Sequence, residues 1–453
     1  MKEKSKLKKF LSSFYLDKKL AKYDAEACIV WTQQLVKNKI IKKQQAEILI
    51  DALKKIKNKP EKIKKSEDIH FALEVTLEKM LKENKNLAGI IRTARSRNDL
   101  VVSDERMFIK EEIVLIVKLL KNVIESIINL SIKNIDVAMV GYTHLQPAQP
   151  VLFSHYILSF AWWFIRDIER FKDCYKRVDV SVLGSAAFAG SSFEVDRKEV
   201  ARKLKFMEIS QNSVDSVSDR DFIAEFIFCC ATVMMHMSRI AEEFILWSSP
   251  NFGYIKLPKE LTSGSSIMPQ KQNPDYLELV RGKATKVYCD LLGILVLMKN
   301  LPLTYNRDMQ EDKVYLFSSV EVVKDCLDII RLVFDNVILN VEKMKNDLLK
   351  YDFILSTEIA NFLVEKLNLS YKEAHRKVRQ LIEYSLKVNK KLTELNYKDY
   401  QSVINISSNM FDELKDRLSI EKVGCRYKTF GGSSISEVKR QIKKLKSLLI
   451  KLC

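Results

Sequence analysis

Glycine and proline are scarce in this chain, at 11 and 8 of 453 residues, and neither occurs from Leu303 through Val423. With so few breakers the chain can run in long helices, and Val-Ile-Thr alternation over strand length is scarce too. Apolar residues three and four apart, as in Leu277, Val280, Ala284, Val287 and Leu291, predict a helix with one buried face. Its start is expected at an Asn273 N-cap, with Pro274 in the first helical position. The expected fold class is all-α. No repeat of solenoid length and no Gly/Ser linker is present.

Clustered cysteine is also absent. The 8 cysteines are scattered, Cys229 and Cys230 form the one close pair, and the 5 histidines do not group with them. That pattern argues against a metal site and a disulfide framework, and it points to a reducing, cytoplasmic setting. No apolar run is free of charge for long: Ile113 to Leu130 is interrupted by lysine and glutamate, so it reads as a core-facing amphipathic helix, and no membrane partner is expected. The opening MKEKSKLKKFLSSF is basic but lacks a continuous apolar stretch, so no secretory signal is expected. Acids are outnumbered, 58 against 76 Lys and Arg, giving a formal charge of +18. The basic residues are spread along the chain with acids between them and without aromatic-interleaved RNA motifs, so no nucleic-acid partner is expected. A positive field would attract a polycarboxylate substrate.

The most informative stretch is GSSIMPQKQNPD, Gly264 to Asp275. It can bring a serine over a ligand while an ammonium and a carboxamide wait for developing negative charge. It resembles the signature loop of the fumarase/aspartase lyase superfamily. TARSRND (Thr93 to Asp99), GYTHLQPAQP (Gly141 to Pro150), NSVDSVSDRDF (Asn212 to Phe222) and YNRDMQEDK (Tyr305 to Lys313) resemble one branch, the argininosuccinate lyases. EDIH (Glu67 to His70), LGSAAFAG (Leu183 to Gly190) and FGGSS (Phe430 to Ser434) extend the resemblance from about Ser13 to the C-terminal segment.

That resemblance implies a cofactor-free cleavage of argininosuccinate to arginine and fumarate. It implies Ser265 as the base that takes the proton beside a carboxylate, with Lys271 and Asn273 holding the reacting carboxylate. His144 would be the catalytic histidine and Glu278 the carboxylate that raises its basicity. Ser13, Asn98, Thr143, Tyr305, Gln310 and Lys313 match substrate-contacting positions. Of Arg95 and Arg97 in TARSRND, one or both are expected to bind a substrate carboxylate through paired hydrogen bonds, the alternative being a salt bridge inside the bundle. His155, His236 and His375 are expected to be structural, and His70 to be an interior hydrogen-bonding residue, with a direct role in the site as the alternative. Asp219, Arg220 and Asp221 are expected in an internal ion network or a subunit contact.

The resemblance further implies a homotetramer with a twenty-helix core and active sites shared between subunits. It implies three helical domains over residues 1–92, 93–349 and 350–453. The chain departs from the family pattern in lacking a W-x-GRF segment before Ser13, in carrying Arg92 where many relatives have histidine, and in carrying Ala94 and Ala186 where glycine is common. Other readings of the same residues are a same-fold lyase for a different N-substituted aspartate and a catalytically silent structural relative.

Overall fold

The faces marked by apolar spacing are the faces that become buried. The structure, a computed structural model, describes residues 2–451. Helix makes up 70% and strand 6%, so the fold is all-α. The elements that matter for function are, in chain order, α1 (Ala21–Lys37), α2 (Ile69–Leu81), α3 (Arg97–Lys133), the hairpin β1 (Ala138–Thr143) and β2 (Gln146–Leu152), and α4 (Phe153–Val178). They continue with α5 (Asp221–Ser248), the strand pair β3 (Ser263–Gly264) and β4 (Gln272–Asn273), α6 (Asp275–Met298) and α7 (Asp312–Asn336). On α6, Leu277, Val280, Ala284 and Val287 are buried and Leu291 is half-buried. The helix begins one residue later than expected. The Pro274 carbonyl accepts from the Leu277 and Glu278 N–H groups at 2.9 and 3.1 Å, so Pro274 is the N-cap and Asn273 is drawn into β4.

The stretch free of glycine and proline is not one helix. Its breaks are made by asparagine and serine instead. Asn340 caps the helix Val341–Lys350 by accepting from the Lys343 N–H, Asn368 closes Ser356–Leu367 in the left-handed region at φ 51°, and Ser370 opens Tyr371–Lys387 in a capping box with Glu373. By length and composition α5 could cross a membrane, yet 61% of its most apolar stretch is buried inside the protein, with Phe222, Phe226, Met234 and Ile240 in the core.

The chain forms two compact units. One comprises Met1–Leu120, Arg166–Met235 and Arg281–Cys326, the other Lys121–Ile165, His236–Val280 and Leu327–Cys453. In the first, α1, the helix Lys43–Asn58 and α2 close over Ala25, Cys28, Leu49, Leu53, Leu73 and Leu77. Between α6 and α7 of this unit, a Cβ at Gly293 would sit 2.4 Å from the Tyr315 ring, so only glycine admits that packing. In the second, Ile359, Phe362, Leu363, Leu381, Tyr400 and Leu414 pack with Val140 of β1. Cysteines 28, 174, 229, 230, 289, 326 and 425 are free, and Cys453 lies outside the described residues.

The two alanines that replace common glycines are not neutral in this backbone. Ala94 has φ 63° and Ala186 has φ 54°, in the left-handed region that a Cβ disfavours. Ala94→Gly and Ala186→Gly are each expected to raise stability by about 1 kcal/mol. A rise in the midpoint of urea unfolding with an unchanged slope would report it, and a fall would show that the methyls pack well enough to outweigh the strain.

Candidate active site

Motifs far apart in sequence meet around one cavity in the first unit. The cavity has a volume of about 120 Å³, and its lining includes Ser13, Arg97, Asn98, Tyr305, Gln310 and Lys313. Asp17, Asp68, His70, Val101 and Arg307 complete it, so the lining is drawn wholly from this unit.

Local hydrogen bonds explain how each wall is held. The Ser13 N–H donates to the Glu67 carbonyl at 3.0 Å, and its hydroxyl donates to Asp17, one helical turn on. Asp68 caps α2 by accepting from the Phe71 N–H at 2.7 Å, and its other oxygen takes Arg97 Nη1 at 2.5 Å. Arg307 donates to the Leu11 carbonyl at 2.9 Å and to Glu67 at 2.6 Å. At the start of α3, buried Asp99 accepts from the N–H groups of Ser96, Gly184 and Ala186 at 3.0, 2.9 and 2.9 Å, while Asn98 Nδ2 donates to the Ala187 carbonyl at 3.1 Å. TARSRND and LGSAAFAG are thus one folded unit. Burial pushes the Asp99 carboxyl up to about 6 despite those donors.

Lys313 is a buried cation. Its Nζ lies 3.0 Å from Asp312, 3.4 Å from Glu105 and 3.9 Å from Asp17. Arg220, fully buried, shares the same acids, with Nε 2.8 Å from Asp312 and 3.2 Å from Glu105. Arg220 therefore does join an internal ion network. Burial alone would pull the Lys313 pKa down, but Asp312, Glu105 and Asp17 raise it well above its ordinary value. The lysine stays charged, and that charge faces the cavity.

Arg95 does not line this cavity. Its Nη2 donates to Cys28 Sγ at 2.9 Å, and it lines a second cavity of about 160 Å³ with Asp24, His70, Glu74, Arg92 and Arg97. Arg92 pairs there with Glu74 and lies 5.8 Å over the Phe71 ring. Asp24, His70 and Asp104 place donor atoms within 4.8 Å of one another. A cation there would have to displace the His70 Nδ1 to Asp24 hydrogen bond of 2.8 Å and lie in the field of Arg95, so the set is better matched to a proton than to a metal ion.

The remaining predicted residues belong to the second unit. GYTHLQPAQP is a β hairpin, a local form not expected from its residues. Thr143 pairs with Gln146 across a two-residue turn in which His144 and Leu145 both have φ 56°, the sign pattern of a type I′ turn. Such turns favour Asn and Gly, so a histidine held there is strained. A register shift between Val140 and Tyr142 sits at Gly141, where a Cβ would come 2.6 Å from the Gln149 carbonyl oxygen. Thr143 and His144 are exposed at the tip.

Ser265 follows β3, which pairs with β4 and closes the loop at its base. The Ser265 hydroxyl oxygen accepts from the N–H groups of Ile267 and Met268 at 3.2 and 3.1 Å. Two amide donors on one oxygen favour its charged form, as a serine base requires. Lys271 and Glu278 are exposed, and Ser265 and Asn273 half-buried. Among the described residues no ion pair joins His144 to Glu278 within the chain. Of the other histidines outside the cavity, His236 stacks on Trp163 with centroids 5.2 Å apart, His155 Nδ1 lies 3.4 Å from Gln441 Nε2, and the His375 ring lies 6.5 Å from that of Tyr371.

A family profile described as "Lyase" matches residues 2–289, and one described as "Argininosuccinate lyase C-terminal" matches residues 353–423. The argininosuccinate lyase of Caldicellulosiruptor bescii is 42% identical, covering 98% of this chain and 95% of the relative. That of Syntrophus aciditrophicus is 40% identical, covering 96% and 92%. The chain belongs to the argininosuccinate lyase family. Solved structures agree on the fold. EDDS lyase in complex with formate has a TM-score of 0.85 at 23% identity over 96% of this chain and 86% of that one, and class II fumarase from Schistosoma mansoni has 0.75 at 16% over 89% and 90%.

Against the argininosuccinate lyase pattern, sequence reasoning missed Asp17, Asp68 and Arg307 in the cavity wall and Glu105 and Asp312 beneath it. Asp17 had a usable signal, four residues after Ser13 and hence on the same helical face. Glu105 had none.

Proposed function

We propose that this chain is an argininosuccinate lyase, catalysing reversible elimination of fumarate from argininosuccinate to give L-arginine, a step of arginine biosynthesis. The observation that carries the reading is the convergence of Ser13, Arg97, Asn98, Tyr305, Gln310 and Lys313 on one charged cavity from separate parts of the chain. Cations and amides there suit the carboxylate and polar groups of the arginine half. At the reacting half, Ser265 as alkoxide takes the proton from the carbon beside a carboxylate. Lys271 and Asn273 receive the charge that moves onto the carboxylate oxygens. The carbon–nitrogen bond then breaks as the double bond of fumarate forms, and the guanidino nitrogen takes a proton, with His144 and Glu278 as the transfer pair. Thr143 completes the proposed substrate set, while Arg95, which faces the neighbouring cavity, would act on substrate only through His70 and Arg97 beside it. This chemistry calls for no cofactor.

The reading includes a cytoplasmic homotetramer whose active sites are shared between subunits, and three helical domains over residues 1–92, 93–349 and 350–453. Exposed apolar side chains on the long helices support assembly: Leu279, Leu292, Leu295 and Val296 on α6, Phe228 and Met235 on α5, Val114 and Leu115 on α3. His144 and Glu278, both exposed, are then free to meet across copies.

Ultraviolet absorbance of fumarate released from argininosuccinate tests the reaction. Turnover is expected. Its absence, with elimination from another N-substituted aspartate, would move the assignment to a different lyase of this fold, and silence on every such substrate would favour a structural relative.

A further inference from the structure

His70 reaches the substrate cavity from the first turn of α2 and has its Nδ1 held from behind. Asp24 of α1 lies 2.8 Å from that nitrogen and is itself buried, 1% exposed. Among the described residues no partner engages Nε2, while the ring lines the cavity. The other cationic groups of the wall are already answered: Arg97 by Asp68, Arg307 by Glu67, Lys313 by three carboxylates. We propose that Asp24 is a positioning residue that holds the His70 ring turned so that Nε2–H donates to an anionic group of the substrate, a role resting on the argininosuccinate reading above.

The surroundings fit this division of labour. The groups facing His70 are Asp24 on α1, Asp17 beside Ser13, Asp68 ahead of α2 and Asp104 on α3, with Arg95, Arg97 and Lys313 as cations. Burial pulls the imidazole pKa down, and Asp24, then Asp68 and Asp17, more than offset it, so it lies above its ordinary value. Asp24 is held below the usual carboxylate range despite burial, chiefly by His70 and further by Arg95 and the Cys28 thiol, whose Sγ lies 3.3 Å from Oδ1. Asp104 is fully buried, and neither carboxyl oxygen has a hydrogen-bond partner. Burial drives it strongly toward its neutral form, which leaves Asp24 as the charged carboxylate against the ring.

The sign of the pH effect follows. A histidine whose pKa is raised keeps its proton to higher pH, and binding that needs the proton fades as pH climbs through that value. Asp24→Asn keeps the shape and an acceptor but removes the charge. It is expected to raise KM for argininosuccinate roughly tenfold, the weight of one charge-assisted hydrogen bond, with kcat changing much less. The alkaline limb of kcat/KM should move to lower pH by about one unit or more. His70→Gln should give a similar rise in KM with that limb abolished, and Asp24→Glu should recover part of the affinity. A lower melting temperature with KM and the alkaline limb unchanged would reduce Asp24 to a packing role and overturn the proposal. Should Asp24→Asn fail to fold, His70→Gln decides by the same two readouts. Should the wild type release no fumarate, the reaction assignment fails separately. Calorimetric binding of argininosuccinate then decides here, with about tenfold weaker binding by Asp24→Asn in support and equal affinity against.

Discussion

Ser265→Ala is expected to lower kcat for fumarate release by about a thousandfold, the usual weight of a positioned general base, while leaving thermal stability within error. The asymmetry follows from the geometry. The Ser265 hydroxyl oxygen accepts two N–H groups from Ile267 and Met268, both exposed, so its removal frees donors that water can satisfy. Those two amides favour the charged form of that oxygen, which the proposed role as base requires. Ser266, exposed and next in sequence, serves as the control: Ser266→Ala should cost far less. Retained turnover in Ser265→Ala would keep the reaction and remove Ser265 as its base.

A second large effect is expected at Arg220, this time on stability. Arg220→Met removes one of two cations from a fully buried set and leaves Glu105 and Asp312 to share Lys313. Breaking a buried pair on one side typically costs about 3–5 kcal/mol, because the partner charge stays behind unpaired. Urea unfolding at a fixed protein concentration measures it, since assembly would make the midpoint depend on concentration. Adding Glu105→Gln should recover part of the loss by removing a buried carboxyl that burial and Asp312 already push up to about 8. A loss below about 1 kcal/mol would place the weight of the network on Lys313 alone. Activity should fall with stability, because the same acids fix the Lys313 ammonium at the cavity wall.

The cavity of the first unit was legible because motif order survives in a sequence even when contacts do not. Ser13, Arg97, Asn98, Tyr305, Gln310 and Lys313 each sit in a recognisable segment, and folding brings those segments together. Glu105 and Asp312 were not legible. They are two acids among 58, and nothing in their spacing marks burial. The hairpin around His144 was hidden for another reason: β2 carries Pro147 and Pro150, a residue type that strands seldom hold, opposite Tyr142 and Val140 of β1. The Asn273 cap was misplaced because its alternative partner, Ser263, lies ten residues earlier in a strand of only two residues. Backbone sign was invisible as well. Ala186 looks like a harmless methyl until φ is known.

The small ladder formed by Ser263 with Asn273 and Gly264 with Gln272 has a thermodynamic side. It fixes both ends of the segment 265–271 before any ligand arrives, so the chain entropy lost when substrate orders this loop is confined to the residues between. At about 1–2 kcal/mol for each backbone unit immobilised, every residue already held by the ladder is one whose freedom binding need not remove. The clasp therefore acts as preorganisation, and lengthening the free segment at either end should weaken substrate affinity while leaving the reacting groups themselves unchanged.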